Sequence, residues 1–466
     1  MIRLFSRWPK ALRRSISGWL VARSGLFDAL YYLDEYPDVA TADQAPLAHY
    51  CEHGWREKRR PGPMVHPDYI STGPIGRHFA YSNPIIIWLL LGRWIGWSLT
   101  WPQLRGWMRP TTPVEGDIAI VVHAATRTGA PIFALRLARW LRREGYADPT
   151  FILLADGSLL PDVWGEFPCL PLFALPKRER SKFLRAVLPN ARVLYLNSLA
   201  SLRVWEWLDW HEGGLLLHVH ESADSISQYG AELATIAPSH PRTIAVNEGC
   251  RAPLTQMLGQ EPDIIPPAIE IPPPASKTRL RVGRKMVMGC GTMSRRKGAD
   301  LFCEVAADVL ERFSGEVEFR WLGGLGDVDM DEAITSSGIS DHVKLLGEVA
   351  DPLPYLAIAS LFMLPSRDDP FPLVALEAAS CGVPIVCFDS LADGVGTWIS
   401  EGAGEVVRAF DTGAMADAVI RLLTDPAWHQ SASTTAREAA KRFDIDKIGY
   451  QIRGIIDQIA EENAAY

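Results

Sequence analysis

From residue 116 onward the chain alternates short apolar runs with loop-and-helix stretches, and this happens twice. In the first series, "DIAIVVHAA" (117–125), "PTFILLAD" (149–156), "ARVLYLNS" (191–198), "GLLLHVHES" (214–222) and "TIAVNE" (243–248) are apolar runs of strand length. Between the first two lies "PIFALRLARWLRREG" (131–145), an amphipathic pattern that predicts a helix opening at Pro131 and stopping at Gly145. After the polar, proline-rich linker "IEIPPPASKTRLR" (269–281) a second series follows: "KMVMGCGT", "VEFRWLGG", "HVKLLGEV", "SLFMLPS", "VPIVCFD" and "GEVVRA". Continuous apolar strands separated by helices belong to parallel sheets covered on both faces. Two such series imply two similar domains with a cleft between them. Ligands of open α/β sheets bind at the carboxyl ends of the strands.

Composition narrows the partners. The 466 residues include 48% hydrophobic and 22% charged residues, which fits a globular chain with more than one core. A formal net charge of −8 argues against a nucleic-acid partner, so any anionic substrate must meet a local basic cluster. The seven cysteines are scattered singly, without zinc or redox spacing, which fits a reducing cytoplasm. No secretory signal pattern is seen.

The first part of the chain reads differently. Residues 1–24 carry six Lys and Arg and no acid, interleaved with Leu4, Phe5, Trp8, Leu12, Ile16, Trp19 and Leu20. This basic amphipathic helix suits either an anionic membrane surface or its own protein. Residues 25–78 form a small module with recurring Tyr, His and Trp. It is similar to the module that precedes some bacterial glycosyltransferase domains; His49 and His53 suggest either a metal site or a packed aromatic cap. Residues 79–113 include "IIIWLLLGRWIGWSLTW" (85–101), where Arg93 and four tryptophans favour an in-plane membrane contact or a buried docking helix over a span. Domains are thus expected at 114–270 and 271–445, with a terminal helix at 446–466.

Two stretches carry chemistry. In "MGCGTMSRRKGADLF" (288–302), glycines make a tight turn and Arg295, Arg296 and Lys297 stand before a helix start, a setting for a diphosphate. A dinucleotide fingerprint fails at its third glycine, where Ser294 stands. In "PSRDDPFPLVALEAASCGVPIVCFD" (365–389), Asp369 precedes a helix and Glu377 lies one turn into it. A carboxylate can accept from two vicinal hydroxyls at once, so these acids suit a ribose and a sugar. By themselves they read rather as helix N-terminal stabilisation by Asp368 and Asp369, with Glu377 in solvent.

Together, the stretches over 286–400 resemble the nucleotide-binding half of the family-4 retaining glycosyltransferases. "D-P-F-P-L-V-A-L-E-A-A-S-C-G-V-P-I-V" matches that family's acid, seven residues, then Glu-Ala, with Phe371 and Gly382-x-Pro384 in place, and "GTMSRRKG" resembles its phosphate turn. The resemblance implies a GT-B fold: two Rossmann-like parallel-sheet domains facing across a cleft, here preceded by an N-terminal helical extension. It implies a nucleotide-diphosphate sugar as donor, with no cofactor and no metal. Glu377 would hold the ribose, Asp369 the donor sugar and Lys297 the diphosphate. Backbone N–H groups near Phe371, Leu373 and Val374 would line the pocket, and His220 would reach the sugar. Gly129, in "HAATRTGAP", would let the backbone approach the phosphates.

Three departures stand out. Asp369 is one methylene shorter than the family's Glu. Thr292 replaces a frequent Arg, for which Arg295 or Arg296 compensates. Pro370 and Pro372 replace glycines and delete two N–H donors. The implied reaction is metal-independent sugar transfer with retention, in cell-envelope or extracellular polysaccharide synthesis. The acceptor would be a carbohydrate or lipid-linked sugar, and the site of action the cytoplasmic face of an inner membrane, held peripherally. A nucleotide-sugar epimerase and a weakly catalytic carbohydrate- or nucleotide-binding scaffold are the alternatives. "DVDMDE" (327–332) contains a D-x-D but reads as an acidic loop entering a helix. His218 is expected on the opposite side of its strand from His220, as a satisfied core histidine or one that supports the site from behind.

Overall fold

A computed structural model describes residues 10–42, 44–63, 65, 83–90, 110, 113–114, 116–146, 148–273 and 285–464. Among them thirteen strands form two sheets. The first contains β1 (Ile118–Val122), β2 (Thr150–Leu153), β3 (Cys169–Pro171), β4 (Val193–Asn197), β5 (Gly214–Val219), β6 (Arg242–Ala245) and β7 (Asp263–Ile264), in the order β3-β2-β1-β4-β5-β6-β7. The second contains β8 (Lys285–Cys290), β9 (Val317–Leu322), β10 (Val343–Gly347), β11 (Leu361–Leu364), β12 (Ile385–Phe388) and β13 (Gly404–Val407), in the order β10-β9-β8-β11-β12-β13. The pairs are parallel, as in β4 with β5 and β8 with β9. Every residue of β1, β2, β4, β5, β11 and β12 is buried, which is why these strands read as unbroken apolar runs. The order reverses beside the first strand of each series, which is the doubly wound, Rossmann-like arrangement.

The chain divides into two compact units. One comprises Met1–Arg127, Ala147–Arg192 and Arg203–Glu212. Its N-terminal module is built on an aromatic cluster: Tyr32 lies within 6 Å, ring centre to ring centre, of Phe27, Tyr36 and Tyr50. The helix Ala29–Glu35 begins where Asp28 caps the N–H groups of Leu30 and Tyr31. His49 Nδ1 lies 2.9 Å from the Tyr32 hydroxyl, so this imidazole belongs to the aromatic packing. The module is fixed to its unit by Arg180, which pairs with Glu35 at 2.5 Å, and by an Arg60–Asp156 ion pair.

Both candidate membrane segments have a described part, and it packs on this module. Val21 of the helix Lys10–Arg23 and Ile85 and Ile86 of the helix Pro84–Leu90 are buried with Tyr32, Val39 and Tyr50. Residues 1–9, with Leu4, Phe5 and Trp8, and 91–101, with Arg93 and three of the four tryptophans, are outside the described residues, as is much of the linker, 274–281. Among the described residues no helix is long and apolar enough to cross a membrane.

The second unit comprises Thr128–Tyr146, Val193–Leu202 and Gly213–Tyr466. The helix Gly129–Arg143 buries Phe133, Leu137, Trp140 and Leu141, an i, i+4, i+7, i+8 stripe. It opens at Gly129, two residues before Pro131. The last helix, Ile445–Ala464, lies against it and against β5: Trp140 Nε1 donates to Asp446 at 3.1 Å, and Ile459 fills the space over Gly214. Just before this helix the chain is tied to the strand-like residue Ile269, with Ile269 N–H on the Phe443 carbonyl at 2.9 Å and Ile445 N–H on the Ile269 carbonyl at 2.8 Å.

Candidate active site

The sequence-predicted groups of the second series converge in the second unit. β8 ends at Cys290, and the turn that follows carries Arg295, Arg296 and Lys297 to Gly298, the residue before the helix Ala299–Arg312. Gly298 has φ +70°, and a Cβ there would overlap the Pro365 carbonyl, so the turn lies hard against the exit of β11. The two segments are stitched together. Arg367 N–H donates to the Arg296 carbonyl at 2.9 Å, and Arg296 Nη1 donates to the Asp368 carbonyl at 2.8 Å. Arg367 makes a two-pronged pair with Asp300 at 2.7 and 2.8 Å, which holds the Asp300 carboxyl below the ordinary carboxylate range despite partial burial. The result brings Lys297 Nζ onto the Asp369 carboxylate.

Asp369 and Glu377 are both buried, 8% and 5% exposed, which overturns the solvated reading of Glu377. Glu377 lies on the helix Leu373–Ser380, whose entry is set by Pro372 at the N-cap, and it pairs with Arg136 from the helix Gly129–Arg143. Nη1 of Arg136 is buried without a hydrogen-bond partner among the described residues. Cys290, at the end of β8, is pushed up to about 12 by burial first and then by the nearby Glu377, which places its thiol beside the same charges. Leu373 approaches Gly129, where a Cβ would come within 3.9 Å of its Cδ1. Loops from the ends of β5 and β6 reach the acid segment. Ser222 Oγ donates to Asp368 at 3.0 Å and Asn247 Nδ2 to the Pro370 carbonyl at 3.0 Å.

Other predicted positions are more peripheral. Thr292, Arg295 and Arg296 are exposed. The Phe371 ring packs edge-on to Phe443, 5.4 Å between centres, so its side chain serves the fold at this point. Val374 follows Leu373 in the first turn of the Glu377 helix. The D-x-D stretch is an acidic helix entry: Asp329 caps the helix Met330–Ser336 by accepting from Glu332 N–H at 3.0 Å, and Asp327 accepts from Arg295 N–H at 3.2 Å. Among the described residues no group of three His, Cys, Asp or Glu could hold a metal ion.

At the first sheet, His220 lies just past β5. Its Nε2 is 3.0 Å from Asn197 Oδ1, and its ring stacks on His218 with centres 4.1 Å apart. The expected opposite-side placement of His218 is therefore wrong: residues two apart on a strand share a face. His218 is fully buried, its Nδ1 bonded to the Tyr195 hydroxyl and its Nε2 without a partner among the described residues, so it is half satisfied. Burial, then the neighbouring His220, holds its pKa well below the usual value, and the ring is neutral. Sequence reasoning missed Arg136, one of several arginines on its helix, and Asn197, whose place depends on sheet register.

Two parallel Rossmann-like sheets preceded by N-terminal helices define the class: this is a GT-B fold. Solved structures with that architecture align over most of the chain. Anabaena Alr3699/HepE, crystallised with UDP and glucose, has a TM-score of 0.62 at 19% identity, covering 74% of this chain and all of that one. WaaG, a glycosyltransferase of lipopolysaccharide biosynthesis, has a TM-score of 0.59 at 16% identity, covering 73% of this chain and 99% of that one. Residues 284–425 match the family "Glycosyl transferases group 1". The chain thus carries a group 1 glycosyltransferase domain on a GT-B fold. Among curated relatives, an alpha-D-kanosaminyltransferase of Streptomyces kanamyceticus is 31% identical over 38% of this chain and 46% of its own length. A phosphatidyl-myo-inositol mannosyltransferase of Mycobacterium leprae is 25% identical over 58% of this chain and 74% of its own length.

Proposed function

We propose that this protein transfers a sugar from a nucleotide-diphosphate sugar to an acceptor hydroxyl, with retention of anomeric configuration and without a metal. The carrying observation is the meeting of Lys297 with Asp369, and of Glu377 with Arg136, beside the carboxyl ends of β8 and β11 in one compact unit. Glu377 can accept from both ribose hydroxyls, and Asp369 from a hydroxyl of the donor sugar. As the sugar–phosphate bond breaks, negative charge gathers on the departing diphosphate. Lys297, held in advance by Asp369, supplies a fixed positive charge there, with Arg295 and Arg296 exposed on the same turn. Such preorganised charge performs the task a metal would otherwise perform.

Relatives that match this chain are named as a phosphatidyl-myo-inositol mannosyltransferase and a lipopolysaccharide core biosynthesis mannosyltransferase. With the basic, acid-free residues 1–24, they support a carbohydrate or lipid-linked acceptor in envelope or extracellular polysaccharide synthesis, used by a protein held peripherally at the cytoplasmic membrane face. A thermal-shift panel of nucleotide sugars tests the donor: one base and sugar should raise Tm in proportion to the logarithm of concentration. NMR of the product's anomeric centre then tests retention. No stabilisation by any nucleotide sugar would sink the reading, and product formation without an acceptor would favour the epimerase. Deleting 1–24 should move the protein out of a washed membrane fraction.

A further inference from the structure

The charges around Glu377 cancel in the free protein and leave one donor over. Arg136 gives Nη2 to Glu377 Oε1 and leaves Oε2 of that carboxylate to other donors. The two side chains are only 15% and 7% exposed, so the pair is largely out of water. Nη1 of Arg136 is buried without a hydrogen-bond partner among the described residues. A guanidinium cannot shed its proton, so this N–H is a charged donor removed from water with nothing to receive it. Such a group is costly to leave unmatched.

The neighbouring cations are committed elsewhere or stand in solvent. Lys297 Nζ lies on Asp369, Arg367 is forked onto Asp300, and Arg296 Nη1 is on the Asp368 carbonyl. Arg295 is exposed, where water weakens its field. Cys290 lies beside Glu377, Lys297 and Asp369, so both ion pairs flank the end of β8. A nucleotide diphosphate brings negative charge to this place, whereas its ribose brings only hydroxyls. In a nucleotide the ribose hydroxyls and the first phosphate hang from one small ring, a few bonds apart. A carboxylate that holds the hydroxyls has that phosphate close by, and so has a guanidinium that grips the same carboxylate.

We infer that Arg136 is a further donor-binding residue: with Nη2 kept on Glu377, its Nη1 donates to a phosphate oxygen of the bound nucleotide diphosphate, while the ribose hydroxyls take Glu377 Oε2. This deepens, and rests on, the proposed transferase reading. Arg136 then acts twice. It cancels the charge of the ribose-holding carboxylate, which by itself would repel the phosphates, and it joins Lys297 in holding them. A planar fork can serve two anionic acceptors at once in fixed geometry. The contact strengthens as charge gathers on the departing diphosphate.

Calorimetry on the full-length protein with UDP, GDP, ADP, CDP and dTDP tests this. For a diphosphate that binds, the affinity of the matching nucleoside is read by displacement. In Arg136→Met the diphosphate should bind about 10–100-fold more weakly, the loss expected for a hydrogen bond to a charged group. The nucleoside should bind as well as before or better, because Glu377 is left open to its hydroxyls. An equal loss for both would make Arg136 a prop for Glu377 only, and no loss for either would remove it from the site; each result overturns the inference. If Arg136→Met does not fold, Arg136→Lys decides. Lysine keeps a charge beside Glu377 but has no second fork nitrogen, so the diphosphate should weaken about fivefold and the nucleoside should be spared. Unchanged diphosphate affinity in that variant would overturn the inference. If wild type binds none of the diphosphates, the transferase reading itself fails; if wild type binds and the variants lose no selectivity, only the role of Arg136 fails.

Discussion

The two strand ends that carry the functional groups are built on opposite electrostatic plans. At β4 and β5 most side-chain contacts run through uncharged partners, Tyr195 to His218 and Asn197 between His220 and a carbonyl, with Glu221 the carboxylate beside them. At β8 and β11 they are charged: Lys297 with Asp369, Arg136 with Glu377, Arg367 with Asp300. Such a network fixes direction wherever a carbonyl or amide oxygen takes part, because that oxygen can only accept. A charged network fixes position and holds charge ready, yet its partners can be exchanged for a ligand's. The first plan suits orienting an uncharged sugar; the second suits receiving a diphosphate.

The largest expected effect comes from breaking the charged end. Lys297→Ala should lower transfer by about 10²–10³-fold, the usual loss when a preorganised charge-stabilising group is removed. Single-turnover kinetics would check it, and an unchanged rate would remove Lys297 from the chemistry. Next comes the buried pair. Glu377→Ala leaves Arg136 without its partner and should destabilise the fold by about 3 kcal/mol, whereas a combined Arg136→Met, Glu377→Gln variant should recover much of that in urea unfolding. If the double variant is as unstable as the sum of the singles, the pair is not coupled. Gly298→Ala should cost roughly 1–3 kcal/mol through its left-handed backbone and the Pro365 carbonyl, visible as a lowered Tm.

The buried histidines predict a pH effect of the other kind. Burial holds His218 well below its ordinary pKa and His123 and His211 down at about 4. Unfolding lets these rings take up protons below about pH 6.5. Their folded pKa values are depressed, so their contribution to stability is complete above the unfolded value and is lost as pH falls from about 6.5 towards 4. Urea midpoints measured across that window should fall steadily. A flat profile would mean that the rings are solvated. The smallest effect is expected at Arg367→Met, about 1 kcal/mol, because its pair with Asp300 is partly exposed.

The two ends also differ in how far the sequence discloses them. The charged end lies in two contiguous strings, and its spacing brings Lys297, Asp369 and Glu377 forward at once. Both series of strands were legible because parallel strands buried on both faces carry unbroken apolar runs. Only the short edge strands β3 and β7 gave no such run. Arg136 was hidden because its helix also carries Arg139, Arg142 and Arg143, and nothing local marks which arginine meets an acid 241 residues on. Asn197 and the shared face of His218 and His220 emerge only when β4 and β5 are set in register, Asn197 opposite His218.

The return of the final helix has a practical consequence for dissecting this molecule. Because Ile445–Ala464 contributes Asp446 to Trp140 and covers Gly214 with Ile459, severing the chain within 274–284 would not yield two self-sufficient halves. The amino-terminal fragment would lack its own lid of apolar side chains, and the carboxyl-terminal fragment would carry an orphan helix with nothing to cover. Co-expressing the two fragments should rescue what neither achieves separately.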